Sequence, residues 1–209
     1  MTDKGIKQID DQIMWREKHP KVLRDLKKYI NEITDIKIEW EGSYSLEDIG
    51  FNDSEYSYSK KDCKLNDETI DYGIYQIYGY HPVYGTNVLL YIGKAQNQTF
   101  AKRIAQEGWE YNEDSKNIQI YVGRIYDENN SSDEIWDELI DTAERMLIYS
   151  HEPARNSSNI LNITRDKEKL KSFEDIRIFN YGRYKSLMPE ISGEMWIKES
   201  EVTKLFGES

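Results

Sequence analysis

Apolar positions along the chain change period several times, and each change marks an element. Ile6, Ile9, Ile13 and Met14 recur at helical spacing over residues 6–18. His19-Pro20 interrupts that run, and Pro20 suits the first residue of a second helix, where Val22, Leu23, Leu26, Tyr29, Ile30 and Ile33 form an apolar stripe. Ile36-Lys37-Ile38-Glu39-Trp40 alternates as a strand does, and Ser45 to Asp48 has the pattern of a capping box. From Asn52 to Thr69 the chain is polar and reads as a surface connection. Residues 72–80, rich in Tyr and Ile, and 86–92 both have strand character. The Pro and Gly between them, in His81-Pro82-Val83-Tyr84-Gly85, predict a hairpin with an extended loop. A helix is expected over 98–107, with Phe100, Ala101 and Ile104 inward, and a third strand over 118–125. Residues 133–150 form the clearest helix, with Ile135, Trp136, Leu139, Ile140, Ala143, Leu147 and Ile148 on one stripe. Beyond it lie a strand around 176–179, a glycine turn at Gly182 and a short segment at 202–206.

Composition narrows the picture. A chain of 209 residues forms one good-sized domain or a compact core with extensions. No apolar run approaches the roughly 20 residues needed to cross a bilayer. The first residues lack the basic-then-apolar pattern of a signal peptide, which makes the cytoplasm the natural setting. Cys63 is the sole cysteine, which excludes an intrachain disulfide and a cysteine-based zinc site. The net charge is −11, spread as −4 over residues 1–70, −6 over 71–165 and −1 over 166–209. Nonspecific nucleic-acid binders are basic, because neutralised phosphates drive their affinity. A nucleic-acid partner would therefore be held by a local basic patch, by metal, or by another subunit. Lys21, Arg24, Lys27 and Lys28 on the second helix supply either such a patch or an ordinary solvated face.

The chemistry-bearing residues run in order. Gly73-Ile74-Tyr75 and Tyr91-Ile92-Gly93-Lys94 sit on the two hairpin strands, Arg103 on the next helix, Glu144 in the long helix, and Pro153 and Asn156 beyond it. This ordered set, over residues 71–160, resembles the GIY-YIG nuclease superfamily. The resemblance implies a small three-stranded antiparallel α/β (α+β) sheet flanked by helices, with an N-terminal helical element and linker over 1–70 and a C-terminal extension over 161–209. It further implies a metal-dependent endonuclease that hydrolyses phosphodiester bonds of DNA with Mg²⁺ or Mn²⁺, with a nucleic-acid partner and no membrane role.

The residue types suit that reaction. Phosphodiester hydrolysis needs an activated water, positive charge on the phosphate oxygens and stabilisation of the leaving oxygen. Glu144 is the candidate metal ligand; its alternative is an exposed glutamate paired with Arg145 or a lysine. Tyr75 is the general base that the resemblance implies, and a phenol needs a nearby cation, Lys94 or metal-bound water, to act near neutral pH. Tyr91 would orient water or phosphate. Arg103 would clamp the phosphate through two hydrogen bonds, which lysine does not reproduce. Gly93 would let the backbone come close, and Asn156 would tie the loop after the helix to the site. The chain departs from the family pattern twice. Fifteen residues separate Tyr75 from Tyr91, and Gln106 and Glu107 stand where many members carry a histidine or tyrosine one turn after the arginine. His81 and His151 are the candidate substitutes. The competing reading is a catalytically inactive or regulatory protein of this fold that binds nucleic acid or a protein. An acidic enzyme without an evident DNA-binding module also suggests a homodimer or a targeting partner.

Overall fold

The computed structural model describes residues 34–59, 63–112, 114–126, 133–156 and 173–194. The chain divides into two compact units, Met1–Thr34 and Asp35–Ser209, and every described residue but Thr34 belongs to the second. The helices expected over 6–18 and 20–33, the acidic turn at 127–132 and the segment at 202–206 lie outside the described residues.

Six strands form one mixed, curled sheet: β1 (Thr34–Tyr44), β4 (Gly73–His81), β5 (Gly85–Ala95), β6 (Gln119–Tyr126), β7 (Ile176–Gly182) and β8 (Glu190–Ser192), in the order β5-β4-β6-β1-β7-β8. The short strands β2 (Phe51–Asn52) and β3 (Ser57–Tyr58) pair apart from it. The α-helices among the described residues are α1 (Phe100–Ala105) and α2 (Asp133–His151). The expectation of a small three-stranded sheet is therefore wrong. The hairpin β4-β5 and strand β6 do pair antiparallel, but they make only half of the sheet. β1 lies against β6, with Trp40 opposite Gly123, and β7 and β8 extend the sheet further. A side chain at Gly123 would meet the Trp40 indole at 2.9 Å, so glycine leaves the space that the tryptophan fills. The Trp40 indole N–H then donates to Asn180 Oδ1 at 2.8 Å, joining β1 to β7 in the interior. Without that acceptor the buried N–H would cost about 1–3 kcal/mol.

The sheet is packed on both faces. On one, Ile140, Ala143, Met146, Leu147 and Ile148 of α2 cover Ile36, Ile38, Ile74, Ile92, Ile178 and Ile191. Each fully buried aliphatic of this kind contributes about 1.5–3 kcal/mol. On the other, Phe100, Ala101 and Ile104 of α1 pack with Tyr75, Ile77, Leu90, Ile120 and Val122. The hairpin also differs from expectation. Its strands, not its loop, are enlarged: β4 and β5 run to His81 and Gly85 around Pro82-Val83-Tyr84, and register shifts at Ile77/Tyr78 and Gly79/His81 absorb the surplus residues.

Of the polar connection expected over 52–69, the described residues 52–59 and 63–69 carry structure, including the pairing of β2 with β3. Ser45 Oγ accepts the Asp48 N–H (3.2 Å) and the Asp48 carboxylate accepts the Ser45 N–H (2.9 Å), closing the expected capping box over a turn. Leu65 is buried. Cys63 directs its thiol to the Ile49 carbonyl, and burial pushes its pKa up, as befits an unreactive thiol. No described helix is long and apolar enough to cross a membrane.

Candidate active site at the edge of the sheet

Antiparallel pairing of β4 and β5 sets Tyr75 opposite Gly93. A methyl group on Gly93 would stand 2.5 Å from the Tyr75 hydroxyl and 2.6 Å from the Tyr91 ring, so only a hydrogen fits between these two tyrosines. Their ring centroids are 6.1 Å apart, and Tyr91 in turn lies 5.7 Å from Trp109. Tyr75 is fully buried, and its hydroxyl donates to Glu107 Oε1 at 3.3 Å.

Helix α1 brings in the next groups. Thr99 caps it from an extended backbone, and its hydroxyl donates to Asn66 Oδ1 at 2.7 Å. Four residues after that cap, Arg103 faces the site and forms an ion pair with Glu107, four residues further on. The same Glu107 oxygen thus takes both the phenol and the guanidinium. Glu107 is one of the two residues, with Gln106, at which the resemblance would call for histidine or tyrosine, and its spacing from Arg103 is the signal available in the sequence.

Helix α2 supplies Glu144 from the opposite face, within electrostatic reach of Arg103, Tyr75 and Tyr91. Its side chain is 12% exposed, and Lys94 Nζ stands 3.8 Å away. Of the surface alternative for Glu144, the exposure does not hold, whereas the ion pair with a lysine does; Arg145 pairs with Asp141. Asp141 is also the main partner of Lys94. Lys94 therefore bridges two α2 carboxylates, and the cation that pulls on Tyr75 is Arg103. Burial, reinforced by Asp141, pushes the Glu144 carboxyl up to about 7, against the opposing pull of Lys94, Arg145 and Arg103. Burial first, then Glu107 and Tyr91, drive the Tyr75 phenol far above its ordinary range; Tyr91 is raised by burial and by Glu107 and Glu144.

Asn156 never reaches these groups. Its amide accepts the Ile92 N–H at 2.9 Å and donates to the Ile92 carbonyl at 2.8 Å. The N–H groups of Ala154 and Arg155 donate to Leu89 and Leu90. The loop after α2 thereby covers the free edge of β5, which would otherwise expose unpaired backbone. Asn156 is a positioning residue that fixes the strand between Tyr91 and Gly93. Neither histidine joins the site. His81 Nδ1 accepts the N–H groups of Val83 and Tyr84 within the hairpin. His151 Nε2 accepts the Met188 N–H at 2.8 Å, which leaves its Nδ1–H to donate to Leu147.

Among the described residues no three His, Cys, Asp or Glu side chains cluster as a metal cage. A metal here would rest on the single Glu144 carboxylate, with water and substrate oxygens completing its shell. That donor set fits Mg²⁺, which keeps several waters, and a cation there would compete with Lys94 for the carboxylate. No family model matches the chain, and no curated protein or solved structure matches it.

Proposed function

We propose that this protein is a metal-dependent endonuclease acting on DNA. The observation that carries the reading is the sharing of one Glu107 oxygen by Tyr75 and Arg103, with Tyr75 and Tyr91 closed over Gly93 and the buried Glu144 of α2 within electrostatic reach of both. Mg²⁺ or Mn²⁺ on Glu144 would supply positive charge to the phosphate and the leaving oxygen. Arg103, 33% exposed on its side chain, would turn from Glu107 to the scissile phosphate and hold it with its planar fork. Tyr75 is protonated at neutral pH and already donates to Glu107. It would act as a base only by passing that proton on: the attacking water gives its proton to Tyr75 Oη while the phenolic proton moves to the Glu107 carboxylate. The chain thus has its own proton acceptor where the family pattern has histidine or tyrosine. Lys94 and Asp141 would hold Glu144 in place, and Asn156 would hold the strand beneath it.

A second reading has one observation in its favour. Glu107 neutralises the guanidinium that would grip phosphate, in a chain already at −11, which suits a regulatory protein that no longer cleaves. Cleavage of plasmid and branched DNA in Mg²⁺ or Mn²⁺ separates the two. The nuclease reading expects wild type to cut and Tyr75→Phe and Glu144→Ala to lose at least about a hundredfold. It fails if wild type cuts nothing, or if both variants cut as well as wild type.

A further inference from the structure

Beside Trp109 a cleft of about 340 Å³ opens, lined by Tyr80, Pro82, Gly108, Tyr111, Asn112 and Arg155. It is linked to the proposed base through rings in contact: Tyr75 to Tyr91, Tyr91 to Trp109, and Trp109 to the Arg155 guanidinium at 5.5 Å. The enlarged hairpin supplies Tyr80 and Pro82, and the loop that covers β5 supplies Arg155.

Two groups in the cleft are built to receive something. Arg155 is exposed, and its described side-chain partners are the Trp109 ring and Asn112 Oδ1 at 3.1 Å. Neither is a carboxylate, whereas Arg103, Arg124, Arg145 and Arg177 are each ion-paired with one. Arg155 therefore keeps its charge for an external anion while its guanidinium is held over the indole. Tyr111 is 73% exposed, an unusual placement for a large aromatic ring, yet it is not loose. Tyr56 braces it at 5.5 Å, and Tyr56 is anchored by donating its hydroxyl to the Glu110 carbonyl at 3.0 Å. The nearby Glu110 carboxylate is engaged by the Tyr58 hydroxyl at 2.9 Å.

A fixed exposed ring and an arginine without a carboxylate partner match two parts of a nucleotide: the ring offers a stacking face and the guanidinium a phosphate contact. We propose that this cleft holds one unpaired nucleotide of the strand being cut, with its base on Tyr111 and its phosphate on Arg155. A base stacked inside a duplex does not reach such a recess unless it is first extruded. The preferred substrate is then DNA with a single-stranded arm, flap or bulge near the scissile bond. This deepens the nuclease reading and rests on it.

The test titrates the full chain, in chelator to stop cleavage, with a DNA carrying fluorescent 2-aminopurine in a single-stranded arm, and with the same strand in a continuous duplex. Binding to the arm should change the fluorescence and be about tenfold tighter or more than binding to the duplex. Tyr111→Ala and Arg155→Ala should each weaken arm binding roughly five- to hundredfold. Both side chains are exposed, so unchanged melting temperatures will separate lost contacts from lost fold. Equal affinity for arm and duplex, no binding by wild type, or variants that bind like wild type would overturn the cleft. Cleavage in Mg²⁺ is scored separately. Arm binding without any cleavage overturns the nuclease reading and leaves the cleft; cleavage unaffected by either variant does the reverse.

Discussion

The sharpest consequence of the site is that Glu144, with no cation bound, should destabilise the protein at neutral pH. Its carboxyl titrates near 4.5 in an unfolded chain and is pushed up to about 7 in the fold, chiefly by burial. A carboxylate raised in this way is protonated in both states at low pH and ionised in both at high pH. Its favourable contribution is therefore complete below about pH 4.5 and is lost as pH rises through about 7. The pKa difference corresponds to about 3 kcal/mol, with little solvent discount because the side chain is only 12% exposed. Glu144→Gln keeps the shape and removes the titration. Without metal, wild type and Glu144→Gln should be near-equal at pH 4.5, and the variant should be more stable at pH 8 by up to about 3 kcal/mol. For a chain of this size that is about 5–10 °C in melting temperature. His151 works in the opposite sense, since burial lowers its pKa and protonation costs stability as pH falls; common to both proteins, it drops out of the difference. Urea unfolding at half-unit pH steps supplies the two curves. Mg²⁺ at pH 8 should then raise wild type, by the linkage of ligand to native state, and leave Glu144→Gln unmoved. A difference between the proteins that stays flat from pH 5 to 8 would refute the burial argument, and a cation response that survives the substitution would refute the ligand assignment.

Other substitutions test other parts of the arrangement. Glu107→Gln frees Arg103 and removes the proposed proton acceptor, so it should bind uncleaved DNA more tightly yet cut at least about a hundredfold more slowly; gel shift and cleavage rates read the two effects apart. Asn156→Ala leaves the buried N–H and C=O of Ile92 without partners on the edge of β5, and should cost about 2–4 kcal/mol in denaturant unfolding. Gly93→Ala forces a methyl group onto both tyrosines, so it should cost about 1–3 kcal/mol and take cleavage away with it; a variant with wild-type melting and cleavage would mean that the tyrosines do not meet over Gly93.

The residues of the candidate site are legible as a set in the sequence, and most of the sheet is not, for a physical reason. Short-range signals survive in the chain: the period-2 run at Ile36–Trp40, the strand character around Gly73 and Tyr91, and the helical stripe from Ile135 to Ile148 all mark real elements. Which strands share a sheet depends on pairing across long separations. The bond from Trp40 to Asn180 spans 140 positions, and nothing local at either end announces it. Trp40 read as the end of a strand attached to an N-terminal helical element, and Ile176–Phe179 as part of a tail, so three strands were expected where six pair. The extra residues between Tyr75 and Tyr91 likewise read as loop because Pro82 and Gly85 are turn residues, whereas the strand-forming sequence around them prolongs both strands through register shifts.

Glu107 shows the same division at the scale of one side chain. Its spacing from Arg103 was visible, and an i, i+4 ion pair is an ordinary helix-surface feature worth a few tenths of a kcal/mol. What changes its meaning is the Tyr75 hydroxyl, which arrives from a strand 32 residues earlier and shares the same oxygen. A histidine there would bring either a neutral ring or a charge of the same sign as Arg103. The glutamate brings an opposite charge, restraining the guanidinium until a phosphate competes for it and giving the buried phenol a destination for its proton. Both consequences follow from one carboxylate. If the site cuts DNA, its rate should therefore depend on Glu107 more steeply than its affinity does, and in the opposite direction.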